Sequence, residues 1–246
     1  MNRLTLPLIA FGLVSCSNDD GGSSTGDANT SIQNNFAPVV ADAWQGGGAL
    51  VGRLIVSGYG NWQYFEEQPN HAPPLPVFVW RDFEPGMLAN LPAPSAPFAI
   101  SFGGSAMNDE GLKELAGLQN LQSLDISHTQ VTDAGLGQLA ANKNLQNLDL
   151  GASSVTDAGL KQLATVKSLR KLYFGSTAVT DAGLKELVGL EKLELVYLYN
   201  TKVTDAGLKE LLKIKSLKTL ILSKTEVTDE GLEEFSQARP EVQIMR

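Results

Sequence analysis

The sequence predicts an α/β solenoid, a curved parallel sheet backed by short helices, and three observations carry that expectation. First, Met107-Asn108-Asp109-Glu110-Gly111, Val131-Thr132-Asp133-Ala134-Gly135, Val155-Thr156-Asp157, Val179-Thr180-Asp181, Val203-Thr204-Asp205 and Val227-Thr228-Asp229 recur every 24 residues, without an insertion. A fixed period of this size marks stacked repeats. Second, Leu124 and Ile126 alternate with Ser123, Asp125 and Ser127, the period of two of a half-buried strand. Third, Thr132 stands where a hydroxyl caps a helix, and Asp133 stands at the positive helix end. Leu136 and Leu139, with the sites of Leu118, Val166, Leu190 and Ile214, then form the inward stripe of a short helix.

Glycine recurs at the third helical position (Gly111, Gly135, Gly159, Gly183, Gly207, Gly231). Glycine is a poor helix former, so its recurrence predicts a close approach between stacked turns. Asn142 breaks the inward stripe, and a local irregularity is expected there. A single unit buries too little to offset its ordering entropy, so the array must fold as a stack with capped ends. Upstream, Phe78, Phe83, Leu88 and Leu91 precede Phe102, Met107, Leu112 and Leu115 by 24 residues, which makes 73–96 a degenerate first repeat. Downstream, Gly231–Phe235 starts a last helix, and Pro240 ends the pattern before Val242-Gln243-Ile244. In 36–72, Ala49–Ser57 reads as a strand, and Trp44, Trp62, Tyr64 and Phe65 are candidates to cover the open end of the core.

The unit Leu121-x-x-Leu124-x-Ile126-x-x-Thr129-x-Val131-Thr132-Asp133-Ala134-Gly135-Leu136-x-x-Leu139 resembles the leucine-rich repeat, with threonine or serine where many members carry asparagine. The resemblance covers 105–246, more loosely 73–246. Its Val-Thr-Asp-Ala-Gly-Leu form is similar to the ribonuclease-inhibitor-like and cysteine-containing branches, whose members include ubiquitin-ligase substrate adaptors. No adaptor-type helical domain is expected before the repeats, and an export signal argues against a cytosolic role. The resemblance implies a binding module that presents its concave sheet to a partner.

Residues 1–15 read as a signal peptide: Arg3, an apolar run from Leu4 to Val14, then Ser15 before Cys16. Eleven helical residues reach about 16 Å, too short for a ~30 Å hydrocarbon core. Leu13-Val14-Ser15-Cys16 resembles the bacterial lipobox, which implies lipidation at Cys16, the sole cysteine. Of residues 17–31, all but Ala28 are Ser, Asn, Asp, Gly or Thr, so 16–35 is expected to be a lipid-anchored flexible tether. Ser17, rather than aspartate, follows the cysteine, and that resemblance favours the outer membrane. The organisation expected is thus signal peptide 1–15, tether 16–35, Pro/Trp-rich N-terminal cap region 36–104, and repeats with a C-terminal cap 105–246.

Composition narrows the function. A net charge of −8 argues against a nucleic-acid partner, which needs a concentrated basic face. One cysteine and two histidines, His71 and His128, leave no material for a disulfide framework or a typical zinc site. No cofactor, metal or catalytic residue is expected. Gly46-Gly47-Gly48 lacks a following Gly-Lys-Ser/Thr and reads as a turn. His71 and His128 read as exposed loop residues. Lysine is absent before Lys113, and all three tryptophans and nine of eleven prolines fall within 36–104, so the chain changes character near residue 100.

The binding surface is sought among outward strand positions. In the first three repeats these are small or acidic: Ala99, Ser101, Gly103, Ser123, Asp125, Ser127, Asn147, Asp149 and Gly151. Asp125 and Asp149 share a position on neighbouring strands ~4.8 Å apart, where a cation or basic partner could bind and one pKa should rise. The next three repeats place Lys171, Tyr173, Leu195, Tyr197, Tyr199 and Ile221 outward. The five large apolar or aromatic groups among these are expected to be exposed, which is unusual unless a partner covers them. They form the leading partner-binding set, for a protein or polymer of the cell envelope; Asp125 and Asp149 are the secondary one. The competing readings are a structural envelope lipoprotein without a ligand and, weakest, an enzyme built on 36–104.

Overall fold

The computed structural model describes residues 38–56, 62–65 and 75–246. The proposed signal peptide, Cys16, the tether and His71 lie outside the described residues. Helix α1 (Pro38–Gly46) leads into an antiparallel pair, β1 (Leu50–Val56) and β2 (Trp62–Phe65). β1 also pairs antiparallel with β3 (Leu75–Val79). From β3 onward every strand is parallel to the one before: β4 (Phe98–Ser101), β5 (Leu121–Asp125), β6 (Asn147–Asp149), β7 (Lys171–Tyr173), β8 (Leu195–Tyr197), β9 (Thr219–Ile221) and β10 (Gln243–Met245). One open, curved sheet results, with β3 to β10 in chain order and the hairpin at one end.

Short helices form the other side: α2 (Asp109–Leu115), α3 (Asp133–Leu136), α4 (Asp157–Leu163), α5 (Asp181–Leu184), α6 (Asp205–Leu211) and α7 (Asp229–Ala238). After α3 and α5 the chain tightens into 3-10 turns, Gly137–Ala141 and Lys185–Gly189. Strands β3 to β9 contribute inward residues, such as Leu124, Leu148, Leu172, Val196 and Leu220, to one continuous core between sheet and helices. The 24-residue register is therefore kept by packing in every turn.

The helix N-termini reveal what the recurrent glycine is for. Thr132, Thr156, Thr180 and Thr204 each cap their own helix by accepting the N–H two residues on. The following aspartate reaches into the next repeat. Asp157 Oδ1 accepts the Thr180 N–H at 2.8 Å, and Oδ2 accepts the Thr180 hydroxyl at 2.7 Å. Asp109, Asp133, Asp181 and Asp205 do the same to Thr132, Thr156, Thr204 and Thr228. A Cβ on Gly183 would collide with Asp157 Oδ1, and Gly135, Gly159, Gly207 and Gly231 face the preceding aspartate likewise. The close approach expected from the sequence is thus to a carboxylate. A second set of bonds also recurs with the period: the hydroxyls of Thr129, Ser153, Thr177, Thr201 and Thr225 donate to the carbonyl three residues back.

Asn142 is accommodated rather than expelled. It is fully buried, and its Nδ2 donates to the Leu115 and Leu118 carbonyls at 2.8 and 3.2 Å, while Oδ1 has no partner. The 3-10 turn before it is not its doing, because the same turn precedes Leu190.

Both caps are built. Trp44, Phe78, Trp80, Phe83, Phe98 and Phe102 pack at the N-terminal end of the core, with Trp44 and Phe78 ring centroids 4.2 Å apart and Trp80 stacked on Phe102 at 5.1 Å. Trp44 Nε1 donates to the Pro92 carbonyl and Trp80 Nε1 to the Gly47 carbonyl. The degenerate repeat keeps its strand, β3, but turns replace its helix. Glu114 of α2 holds those turns by accepting the Gly86 and Leu88 N–H groups at 2.7 and 3.0 Å. At the other end Arg239 donates to the carbonyls of Leu212, Ile214, Lys215 and Leu217, satisfying groups that a further repeat would otherwise cover.

Candidate binding surface

Three columns of outward side chains run across the concave sheet. Ser123, Asn147, Lys171, Leu195 and Thr219 are register partners in one. Ser101, Asp125, Asp149, Tyr173, Tyr197 and Ile221 are partners in the next. Beyond the strand ends lies a third column, containing Gly151, Gly175 and Tyr199.

The tyrosine set comes together, but it is not exposed as the sequence suggests. Tyr173, Leu195 and Ile221 are 2%, 3% and 6% exposed. Tyr197, Tyr199 and Lys171 are half-buried. Strand spacing of ~4.8 Å on the inside of a curve leaves each large side chain covered by its neighbours. Tyr173 and Tyr197 ring centroids lie 6.0 Å apart, and Tyr197 and Tyr199 stack at 6.2 Å. Gly175 in the third column makes this possible, since a Cβ there would come within 2.7 Å of the Tyr197 ring. Lys224 Nζ sits 5.0 Å from the Tyr199 ring centroid, a cation–π contact. Burial lowers the Lys171 pKa, with Glu194 opposing. At the N-terminal end Val77 and Ala99 form a separate buried pair, and Ser123 is buried too, so Ala99 and Ser123 are not free surface.

The acidic pair behaves as its spacing implies. Asp125 is well satisfied: Oδ2 accepts the Ser101 hydroxyl at 2.7 Å, and Oδ1 accepts the Ser127 hydroxyl and N–H at 2.7 and 3.0 Å. Asp149 Oδ1 accepts the Gly151 N–H at 2.9 Å. Burial, then the Asp125 charge, push the Asp149 carboxyl up to about 8, against the pull of the Gly151 N–H. Burial, with a smaller contribution from Asp149, also raises the Tyr173 pKa, and the Tyr173 hydroxyl has no hydrogen-bond partner.

The Asp149 shift has a consequence for stability. The unfolded chain releases this proton near pH 3.8 and the folded chain near 8, so stability from this group falls as pH rises through that window. Asp149→Asn is expected to match the native protein in thermal midpoint at pH 3.5 and to exceed it at pH 8. An identical midpoint at pH 8 would show that Asp149 is not held protonated.

Other candidates stay bland. His128 is exposed, with φ 54 in the turn after its strand, and Ala152, Ser176, Asn200 and Lys224 repeat that conformation. Gly48 forms the turn expected of the triple glycine, at φ 89. Among the described residues no three His, Cys, Asp or Glu side chains are grouped to hold a metal ion, and no helix is long and apolar enough to cross a membrane.

Parallel strands on one side, short helices on the other and a capped core make up the fold of a leucine-rich-repeat solenoid. A profile described as "Leucine Rich repeat" matches residues 117–140 and 213–236. An internalin C2 from Listeria monocytogenes str. 4b F2365 is similar at 20% identity, covering 83% of this chain and 92% of that one, with a TM-score of 0.50. An internalin (inlF) from the same strain gives 23% identity and a TM-score of 0.48, covering 60% of this chain and 40% of that one. A leucine-rich-repeat protein of Leptospira interrogans gives 21% identity and a TM-score of 0.40, covering 54% of this chain and 39% of that one. The chain thus spans well under two thirds of the last two structures, and internalin C2 carries the likeness of fold. Among curated proteins, none matches this sequence.

Proposed function

We propose that the chain is a non-enzymatic binding module of the cell envelope, lipid-anchored through Cys16, that recognises a protein or envelope polymer on its concave sheet. The observation that carries this reading is the stacked, half-exposed pair Tyr197 and Tyr199, lying on a base of buried Tyr173, Leu195 and Ile221. A preformed aromatic platform offers large contact area at little entropic cost, and tyrosine is enriched where truncation costs 2 kcal/mol or more, roughly thirtyfold in affinity. The lipid anchor rests on the apolar run, the lipobox resemblance and the polar tether. Acyl chains contribute about 0.8 kcal/mol per buried CH₂, and two or more make a stable anchor.

One observation favours the competing structural reading: three of the five large concave side chains are buried by one another, as they would be if they served only to stiffen the sheet. Capture of envelope material by the full chain separates the two. Tyr197→Ala combined with Tyr199→Ala is expected to weaken capture at unchanged stability. Undiminished capture by the double variant moves the site elsewhere. The anchor is tested apart from this: the native chain is expected to incorporate radiolabelled palmitate and Cys16→Ser none, and an unlabelled native chain rules the lipoprotein out.

A further inference from the structure

The acidic pair and the tyrosines meet at one point, and the sequence treats them as separate candidates. Asp149 and Tyr173 are direct register partners, as are Asp125 and Asp149 on one side and Tyr173 and Tyr197 on the other. Two aspartates therefore run into two tyrosines along one column. Asp125 has both oxygens engaged by Ser101 and Ser127. On Asp149 the one bond is the Gly151 N–H to Oδ1. The Tyr173 hydroxyl, on a side chain 2% exposed, is unpartnered, and the Asp149 charge acts on both Tyr173 and Tyr197. A buried hydroxyl without a partner is costly, and here its register partner on the next strand is a carboxyl with a single hydrogen bond.

We propose that Asp149, Asp125 and the Tyr173 hydroxyl form the seat for a Lys or Arg side chain of a polypeptide partner, with Tyr197 and Tyr199 flanking its aliphatic stem. This rests on the concave-face reading above and names the chemistry the face selects. An ammonium has three donors and no acceptor. They match Asp149 Oδ2, an Asp125 oxygen with lone pairs to spare, and the Tyr173 oxygen. The half-exposed Tyr197 ring, packed against Tyr173, turns aside to admit it. A divalent metal ion fits less well. Calcium wants six to eight oxygens, more than the side chains of Asp149, Asp125 and Tyr173 carry between them.

Binding is then linked to a proton. Asp149 faces Asp125 on β5, the Gly151 N–H, Tyr173 on β7 and Tyr197 on β8; Lys171, in the adjoining column, is under the influence of Glu194. A cation favours the ionised form of Asp149, so affinity should rise with pH until that carboxyl is ionised in the free protein.

The test is titration of the full chain, in detergent micelles at low salt, with tetralysine and with its side-chain-acetylated counterpart. Tetralysine is expected to bind and the acetylated peptide not. Asp149→Asn is expected to weaken tetralysine at least tenfold and Tyr173→Phe severalfold, whereas Glu186→Gln on the convex side changes it less than twofold. Native affinity should climb between pH 6.5 and 8.5, and that of Asp149→Asn should stay flat. Equal affinities for the native chain and Asp149→Asn, or equal binding of the acetylated peptide, overturn the inference. If that happens while Tyr197→Ala with Tyr199→Ala still loses envelope capture, the basic-side-chain seat alone is wrong. If capture also survives, the concave-face reading falls with it.

Discussion

Leu172→Ala is expected to destabilise the protein by about 2–5 kcal/mol, whereas Lys185→Ala changes stability by less than about 0.5 kcal/mol. Leu172 is wholly buried at the centre of β7, between register partners Leu148 and Val196. Truncation removes apolar contact and leaves a cavity that two rigid neighbouring strands cannot close. Because each repeat contacts only its neighbours, weakness in the middle of the stack separates two halves that must otherwise fold together. Lys185, by contrast, is exposed at the start of a convex 3-10 turn. Urea unfolding followed by circular dichroism reads both. Equal midpoints would contradict the assignment of inside and outside on which the binding surface depends.

Trp44→Ala should cost about as much, roughly 3–5 kcal/mol, and for a different reason. Trp44 is fully buried and lies within 5.7 Å, centroid to centroid, of Phe78, Trp80 and Phe98. Its indole N–H also holds the Pro92 carbonyl at 2.9 Å, which the variant leaves without that donor. An open solenoid end exposes apolar core, so loss of this ring uncaps the stack. The expected result is a lower thermal midpoint together with binding of a hydrophobic dye below the transition. A midpoint unchanged from the native chain would mean that α1 is not the cap.

What could be read beforehand follows from the range of each interaction. The fold was legible because the 24-residue period and the alternation at Leu124 and Ile126 are local, repeated signals. The cap at 73–96 was legible from Phe78, Phe83 and Leu88 in the same frame, and the strand expected at Ala49–Ser57 is present as Leu50–Val56. In its local sequence Asp133 is only a helix-end charge, because its hydrogen-bond partner, Thr156, lies 23 residues on. The signal was nevertheless present: Asp, then Thr and Gly of the following repeat, occur together in five successive pairs. The concave site was half legible. Alternation told which side Tyr173, Leu195 and Ile221 take, but not that neighbouring strands would bury them. The joining of Asp149 to Tyr173 required the register. Trp62, Tyr64 and Phe65 do fall on a strand, β2.

The proposed function seats a partner on the concave face over Tyr197 and Tyr199. Hydroxyl-radical footprinting of the full chain, alone and with its captured envelope partner, tests this directly, because both rings are half-exposed and aromatic side chains react readily. Protection of Tyr197 and Tyr199 in the complex, with Leu232 and other convex side chains labelled as before, is the result expected. Unchanged labelling of both tyrosines, with protection confined to the convex side, would contradict it.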